Sequence, residues 1–170
     1  MENKVFLGFG SNKGDRLKYF TQAIDLLTKD RKCIFKNFSS VYETTPYGLT
    51  EQENFYNAAA EIETDLEIEG MYTLIKSIEL EIGREKNGLR WGPREIDVDI
   101  LFYNNLIYNS DKLTVPHKEI LKRDFVIIPL IQIAPDYVHP VLNQKLYDID
   151  LSTIEKHIIG KIDFTTKHIN

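Results

Sequence analysis

A single cysteine, Cys33, is all the thiol chemistry this 170-residue chain carries. One thiol excludes an intramolecular disulfide framework and any multi-cysteine zinc site, and it points to a reducing compartment. In Cys33-Ile34-Phe35-Lys36 it reads as a core side chain. Long apolar runs are also missing: none approaches the ~18 residues of a membrane span, and the run near the N-terminus is too short for the hydrophobic part of a signal sequence. A cytoplasmic location is therefore expected. Proline and glycine, at 6 and 9 residues, form no tract that reads as a linker. One domain is expected over residues 1–170, with 141–170 a tail of weaker pattern. Positive charge is in deficit, 21 Lys and Arg against 26 Asp and Glu for a formal net charge of −5. That balance opposes the counterion release on which non-specific nucleic-acid binding depends, but a local arginine cluster still suits a small anion such as a nucleotide.

What the sequence does have is alternating periodicity. Lys4–Gly10 reads as a buried strand. Asp15 is a helix N-cap, and Leu17, Phe20, Ile24 and Leu27 place a helix over Arg16–Asp30. Cys33–Tyr42 and Asn54–Glu63 are rich in β-branched and aromatic residues and read as strands flanking the turn-forming Thr44-Thr45-Pro46-Tyr47-Gly48. Thr64 and Glu67 have capping-box spacing ahead of a helix marked by Met71, Leu74, Ile75, Ile78 and Ile82, which stops at Gly83. Ile96–Tyr103 is a strand, Asn104-Asn105 a hairpin turn, and Leu106–Tyr108 its return. Glu119–Ala134 is expected as short helices around Pro129. The order β-α-β-β-α-β implies an α+β fold, ferredoxin-like with a mainly antiparallel sheet.

Within the strand Ile96-Asp97-Val98-Asp99-Ile100, period-two alternation puts both carboxylates on one face and Ile96, Val98, Ile100 and Phe102 on the other. Two carboxylates ~6–7 Å apart repel by roughly 2–3 kcal/mol at an effective dielectric of about 20, which a divalent cation between them reverses. Few, all-oxygen ligands suit Mg²⁺ completed by phosphates. In isolation a solvent-facing strand with acidic outer residues is the better reading of the pair. Its context favours the metal: Arg84, Lys86, Arg90 and Arg94 lie just upstream on a glycine-containing loop with Trp91, the only tryptophan. The Walker pattern is absent, and Gly8-x-Gly10 has Lys13 where a dinucleotide fingerprint needs its third glycine. His117, in Thr114-Val115-Pro116-His117-Lys118, suits either a phosphate donor or a structural histidine.

The run Arg90-Trp91-Gly92-Pro93-Arg94-Glu95-Ile96-Asp97-Val98-Asp99-Ile100-Leu101 closely resembles the signature of the 6-hydroxymethyl-7,8-dihydropterin pyrophosphokinases. The resemblance extends to Leu7–Asn12, Tyr42–Gly48, Phe55–Ala59, Ile78–Arg84 and Leu113–His117, covering roughly residues 4–140. It implies an α/β/α sandwich that transfers diphosphate from ATP to the hydroxymethyl group of a reduced pterin, releasing AMP, in folate biosynthesis. It also implies two Mg²⁺ ions on Asp97 and Asp99, with Arg84 and Arg94 as their catalytic neighbours. By matching position, Arg84, Arg94, His117 and Arg123 would meet the ATP phosphates. Arg90 and Trp91 would lie on a loop that closes over ATP, Ile100, Lys112 and Thr114 would lie near the nucleoside, and Glu79 near the nucleotide.

For the pterin, the resemblance points to Thr44, Thr45, Pro46 and Tyr47 through their backbone, to Asn57 through its amide, and to Phe55 and Phe125 through stacking, with Trp91 and Asp97 beside them. The chemistry of these residue types agrees: an aminopyrimidinone edge needs paired donors and acceptors, and a flat ring gains from aromatic faces. Lys118, Phe55 and Lys76 stand where the family often has an aromatic, a tyrosine and a glutamine. A neighbouring folate-pathway enzyme is a further possible partner. Two rivals to this reading are a metal-dependent phosphoesterase using the same aspartates and a non-catalytic ferredoxin-like binding module.

Overall fold

A computed structural model of the protein describes residues 1–83 and 92–167. The chain opens with β1 (Asn3–Ser11) and α1 (Arg16–Thr28) and continues through β2 (Cys33–Phe38), β3 (Val41–Thr44) and β4 (Phe55–Thr64) to α2 (Ile68–Ile82). After it come β5 (Asp97–Tyr103), β6 (Tyr108–Asn109), β7 (Thr114–Val115), α3 (Asp124–Ile133) and β8 (Ile158–Ile162). The main sheet runs β5-β1-β4-β3-β8, with β2 also on β4, and every pairing is antiparallel. The α+β architecture expected from the element order is the one observed.

Alternation along β1 builds the layers. Val5, Leu7 and Phe9 point into a core with Phe20, Ile24 and Leu27 of α1 and Met71, Ile75 and Ile78 of α2. On the opposite face Phe6 packs with Leu101, Phe102, Ile120, Ile127 and Leu130 beneath α3. At ~1.5–3 kcal/mol per fully buried aliphatic or aromatic side chain, these two cores dominate the stability. Cys33 is buried in the first core, and burial pushes its thiol pKa up.

Local signals set the element ends. The Asp15 carboxylate accepts the Lys18 N–H at 3.1 Å, capping α1 as its position predicts. Gly83 adopts φ 118°, and its N–H closes the last turn of α2 on Glu79 and Leu80. Elsewhere the structure corrects the reading. Thr64 is the last residue of β4 and caps nothing in α2: its hydroxyl donates to the Lys32 carbonyl at 2.7 Å and accepts the Leu66 N–H at 3.1 Å. Helix α1 stops at Thr28, because Asp30 and Arg31 take φ of 57° and 56°.

The strand expected over Cys33–Tyr42 is two strands. At Ser39 the Ala59 N–H bonds the Ser39 hydroxyl at 2.9 Å in place of a backbone carbonyl, and the ladder breaks. Leu106–Tyr108 does not return along β5; Tyr108 instead pairs with Val115 in a separate two-stranded sheet. Helix α3 is continuous through Pro129 rather than broken around it. Phe102 lies in the second core, opposite Ile96, Val98 and Ile100. The pairing of β5 with β1 shifts between Phe6 and Leu7, which leaves Leu101 without a partner and turns Phe102 over.

The tail also joins the sheet, since β8 pairs along β3 and forms its outer edge. No helix among the described residues is long and apolar enough to cross a membrane.

His139 ties stability to pH. It is 4% exposed, its Nδ1 accepts the Val141 and Leu142 N–H groups at 3.2 and 3.4 Å, and its ring meets Phe102 at 5.3 Å. Burial holds its pKa below the ordinary 6.5. A base depressed in the folded state binds fewer protons there than when unfolded, so its contribution is present above about pH 6.5 and is lost as pH falls below that value. His139→Asn should flatten the dependence of the thermal midpoint on pH between about 7.5 and 5.5. An unchanged slope would assign that dependence to another group.

Candidate active site

Three strands supply the floor of a cleft. Asp97 of β5 sits opposite Gly10 of β1, which sits opposite Asn57 of β4; the next row is Asp99, Gly8 and Ala59. Pairing alone therefore brings a carboxylate and an amide from distant parts of the sequence onto one face. A Cβ on Gly10 would stand 3.1 Å from Asn57 Oδ1 and 3.9 Å from Asp97 Cβ, so glycine keeps the space between them open. Asn57 is buried and donates through its amide nitrogen to Thr44 Oγ1 at 2.7 Å, which fixes the direction of its carbonyl oxygen.

The cleft is walled on one side by Thr44, Thr45, Tyr47 and Phe55, and on the other by Arg123, Phe125 and Val126 at the start of α3. Pro46 belongs to the first wall's loop but does not line the cleft. The Arg123 guanidinium lies 3.4 Å from the centre of the Tyr47 ring and pairs with Glu119 at 3.1 Å, so the walls meet through a stacked cation.

The acid pair is held from several directions. Arg94 donates to Asp97 Oδ2 at 2.8 Å and to the Gly92 carbonyl at 3.3 Å. Asn12 fastens this segment: its side-chain oxygen accepts the Arg94 N–H at 2.9 Å, and its backbone N–H donates to the Arg94 carbonyl at 3.1 Å. His117 Nε2 stands 4.0 Å from Asp99 Oδ2; burial is the main force holding the His117 pKa below 6.5, against the pull of Glu119 and Asp97.

Behind the strand, buried Glu79 accepts the Val98 N–H at 2.9 Å and pairs with Lys76 at 2.9 Å. Desolvation raises the Glu79 pKa, with Asp97 adding to the shift. Because β5 is an edge strand, the Val98 N–H between the two aspartates needs this acceptor.

No group of three or more His, Cys, Asp or Glu side chains is placed to hold a metal among the described residues. Two same-face carboxylates with an open cleft before them are the donor set that Mg²⁺ takes when substrate oxygens and water complete its octahedron.

A second cleft runs along β5 on its other flank, past Ile100, Tyr72, Lys76, Lys112 and Thr114. Asp99, His117 and Lys118 line both clefts and so form their junction.

A family profile described as 7,8-dihydro-6-hydroxymethylpterin-pyrophosphokinase (HPPK) matches residues 6–135, most of the chain and all of the floor and walls described above. The chain belongs to this family. The pyrophosphokinases it groups transfer a pyrophosphoryl group from ATP to hydroxymethyldihydropterin in folate biosynthesis.

Among similar proteins, the 2-amino-4-hydroxy-6-hydroxymethyldihydropteridine pyrophosphokinase of Aquifex aeolicus is 40% identical over 142 residues, which is 84% of this chain and 87% of that protein. The folic acid synthesis protein FOL1 of Dictyostelium discoideum is 42% identical over 141 residues, 83% of this chain but 21% of its own length. A solved HPPK-DHPS chain of Plasmodium falciparum superposes with a TM-score of 0.69 at 18% identity, covering 85% of this chain and 44% of that one. The chain thus spans a fifth to under half of these two longer proteins.

The structure brings Asp97, Asp99, Arg94, Asn57, Thr44, Thr45, Tyr47, Phe55, Phe125, Arg123 and His117 to the first cleft, and Ile100, Lys112 and Thr114 to the second. Glu79 lines neither and lies beneath β5. Arg84, Lys86, Arg90 and Trp91 fall outside the described residues. The sequence places Gly8, Gly10 and Asn12 within the resembling stretch Leu7–Asn12 and rejects Gly8-x-Gly10 as a dinucleotide motif, but it assigns none of the three a role in the site. The available signal was glycine at alternate positions of a strand whose other face is Val5, Leu7 and Phe9.

Glu79→Leu should destabilise the fold by about 1–3 kcal/mol, since it leaves the Val98 N–H without its acceptor. Glu79→Gln retains an acceptor and should cost about 1 kcal/mol or less. Equal urea midpoints for the two variants would refute this role.

Proposed function

We propose that this chain transfers the diphosphate of ATP to the hydroxymethyl oxygen of 6-hydroxymethyl-7,8-dihydropterin, releasing AMP. The observation that carries the reading is the junction of two clefts at Asp99, His117 and Lys118, with the acid pair on its floor. The first cleft, with its buried amide and aromatic walls, takes the pterin; the second takes the nucleoside; the polyphosphate crosses between them.

In this reading Asn57, held by Thr44, pairs with the aminopyrimidinone edge through its fixed amide, and backbone groups of Thr44 to Tyr47 complete the pairing. Phe55 and Phe125 flank the ring, and Gly8 and Gly10 let it lie close to the sheet. Asp97 and Asp99 would hold Mg²⁺, two ions in the full complex, which would supply positive charge against the phosphate oxygens. Arg94, now paired with Asp97, is within reach to share that task, and Arg123 and His117 stand on the phosphate path. Ile100, Lys112 and Thr114 flank the nucleoside, whereas Glu79 supports the strand from behind.

The pterin oxygen bonds to the β-phosphorus as the bond from that phosphorus to the AMP oxygen breaks. Placing the two in line is the enzyme's main contribution, and no covalent enzyme intermediate is needed. We read residues 1–170 as one pyrophosphokinase domain working in the cytoplasm. The similar proteins named as bifunctional folate-synthesis proteins support a neighbouring folate enzyme as a partner.

Incubation with Mg-ATP and the pterin should yield AMP only when the pterin is present; ADP, or turnover without pterin, would overturn the reading. Asp97→Ala and Asp99→Ala should each lower turnover by at least about 100-fold while the thermal midpoint stays within a few degrees. The two side chains are 25% and 44% exposed, so neither is needed by a core. Unfolding of both variants would make the pair structural.

A further inference from the structure

The two walls of the first cleft come from separate segments, the loop after β3 and the start of α3, and His157 touches both. His157 Nδ1 is 3.0 Å from Thr45 Oγ1, and its carbonyl accepts the Thr45 N–H at 2.9 Å. Its ring meets Tyr47 edge-on at 5.9 Å and 74°, and Phe125 at 5.5 Å and 78°. Its own N–H donates to both oxygens of the buried Asp124 carboxylate at 2.9 Å, and the next N–H, of Ile158, follows at 3.0 Å. Its Nε2 lies 3.4 Å from the Glu155 carboxylate, so both ring nitrogens have a polar partner. The imidazole does not itself line the cleft, and it lies outside residues 6–135 that match the family.

We infer that His157 is a positioning residue for the pterin, bolting the Thr45–Tyr47 wall to the Phe125 wall so that the gap between them is set before substrate arrives. This rests on the pterin assignment of that cleft. A wall already in place spares the substrate the ordering of a loop, so the clamp acts on pterin affinity and leaves ATP binding at the far side of the junction alone.

The test uses the full-length protein. His157→Phe keeps the ring and loses the Thr45 bond, His157→Asn keeps a polar acceptor and loses the ring, and His157→Ala loses both. We expect KM for the pterin to rise about tenfold in the alanine variant and about threefold in each of the others, from the loss of one hydrogen bond and two ring contacts. KM for ATP and kcat should stay within about twofold. In the free protein, amide exchange at Thr45–Tyr47 should quicken in the same order.

A pterin KM unchanged in all three variants, or equal rises in both KM values with a drop in kcat, would overturn the inference, the latter revealing a merely structural residue. If alanine prevents folding, the phenylalanine and asparagine variants decide. Should the wild type release no AMP, the functional reading falls, and loop exchange in the free protein alone decides the clamp.

Discussion

The register of β1 between β4 and β5 is the constraint on which the rest depends. It places Asp97, Gly10 and Asn57 in one row and Asp99, Gly8 and Ala59 in the next. A slip of one residue would send Val98, Phe9 and Ala58 to the cleft and drive the carboxylates into the helical core. What prevents the slip is burial: Val5, Leu7 and Phe9 on one face and Phe6 on the other are all at most 2% exposed. Four such side chains contribute roughly 6–12 kcal/mol by area, which outweighs the ~2–3 kcal/mol of repulsion between two aspartates held on one face. The apolar faces therefore choose the register, and the acid pair follows from it.

How far the sequence discloses this arrangement depends on the range of the interaction involved. Local signals are legible: the Asp15 cap, the Gly83 stop, the alternation of Asp97 and Asp99, and the core role of Cys33. Signals that depend on a partner strand mislead. Thr64 has the spacing of a cap, yet β4 continues to it and its hydroxyl is taken by Lys32 across the sheet. The break at Ser39 depends on a hydroxyl competing for the Ala59 N–H, and the reversal of Phe102 on a bulge against β1. Neither is encoded in the strand's own pattern. The family resemblance supplies what periodicity cannot, the pairing of remote residues such as Asn57 and Phe125 around one cleft.

The electrostatics of β5 explain why that strand needs so much support. Asp97 and Asp99 face the cleft while Glu79 lies behind Val98, so three carboxylates bracket one short segment. Arg94 and Lys76 each take one of them, and His117, its pKa lowered by burial, adds little positive charge near Asp99 at neutral pH. Burial first, with Asp97 adding to it, raises the Glu79 pKa on the inner side, and a cation in the cleft would offset the charge of the aspartates on the outer side.

The floor and the walls of the cleft answer to different parts of the chain. Floor residues are fixed by strand pairing within the span that matches the family, so their spacing cannot change without loss of the register. The walls are joined by the tail. The Asp124 carboxylate captures the backbone of His157 and Ile158, β8 covers the edge of β3, and the Thr45 N–H is satisfied by the His157 carbonyl. An edge strand left open would expose its backbone groups and free the loop beyond it. Covering that edge and setting that loop are therefore one act, and it is performed by a segment whose own sequence carries little pattern.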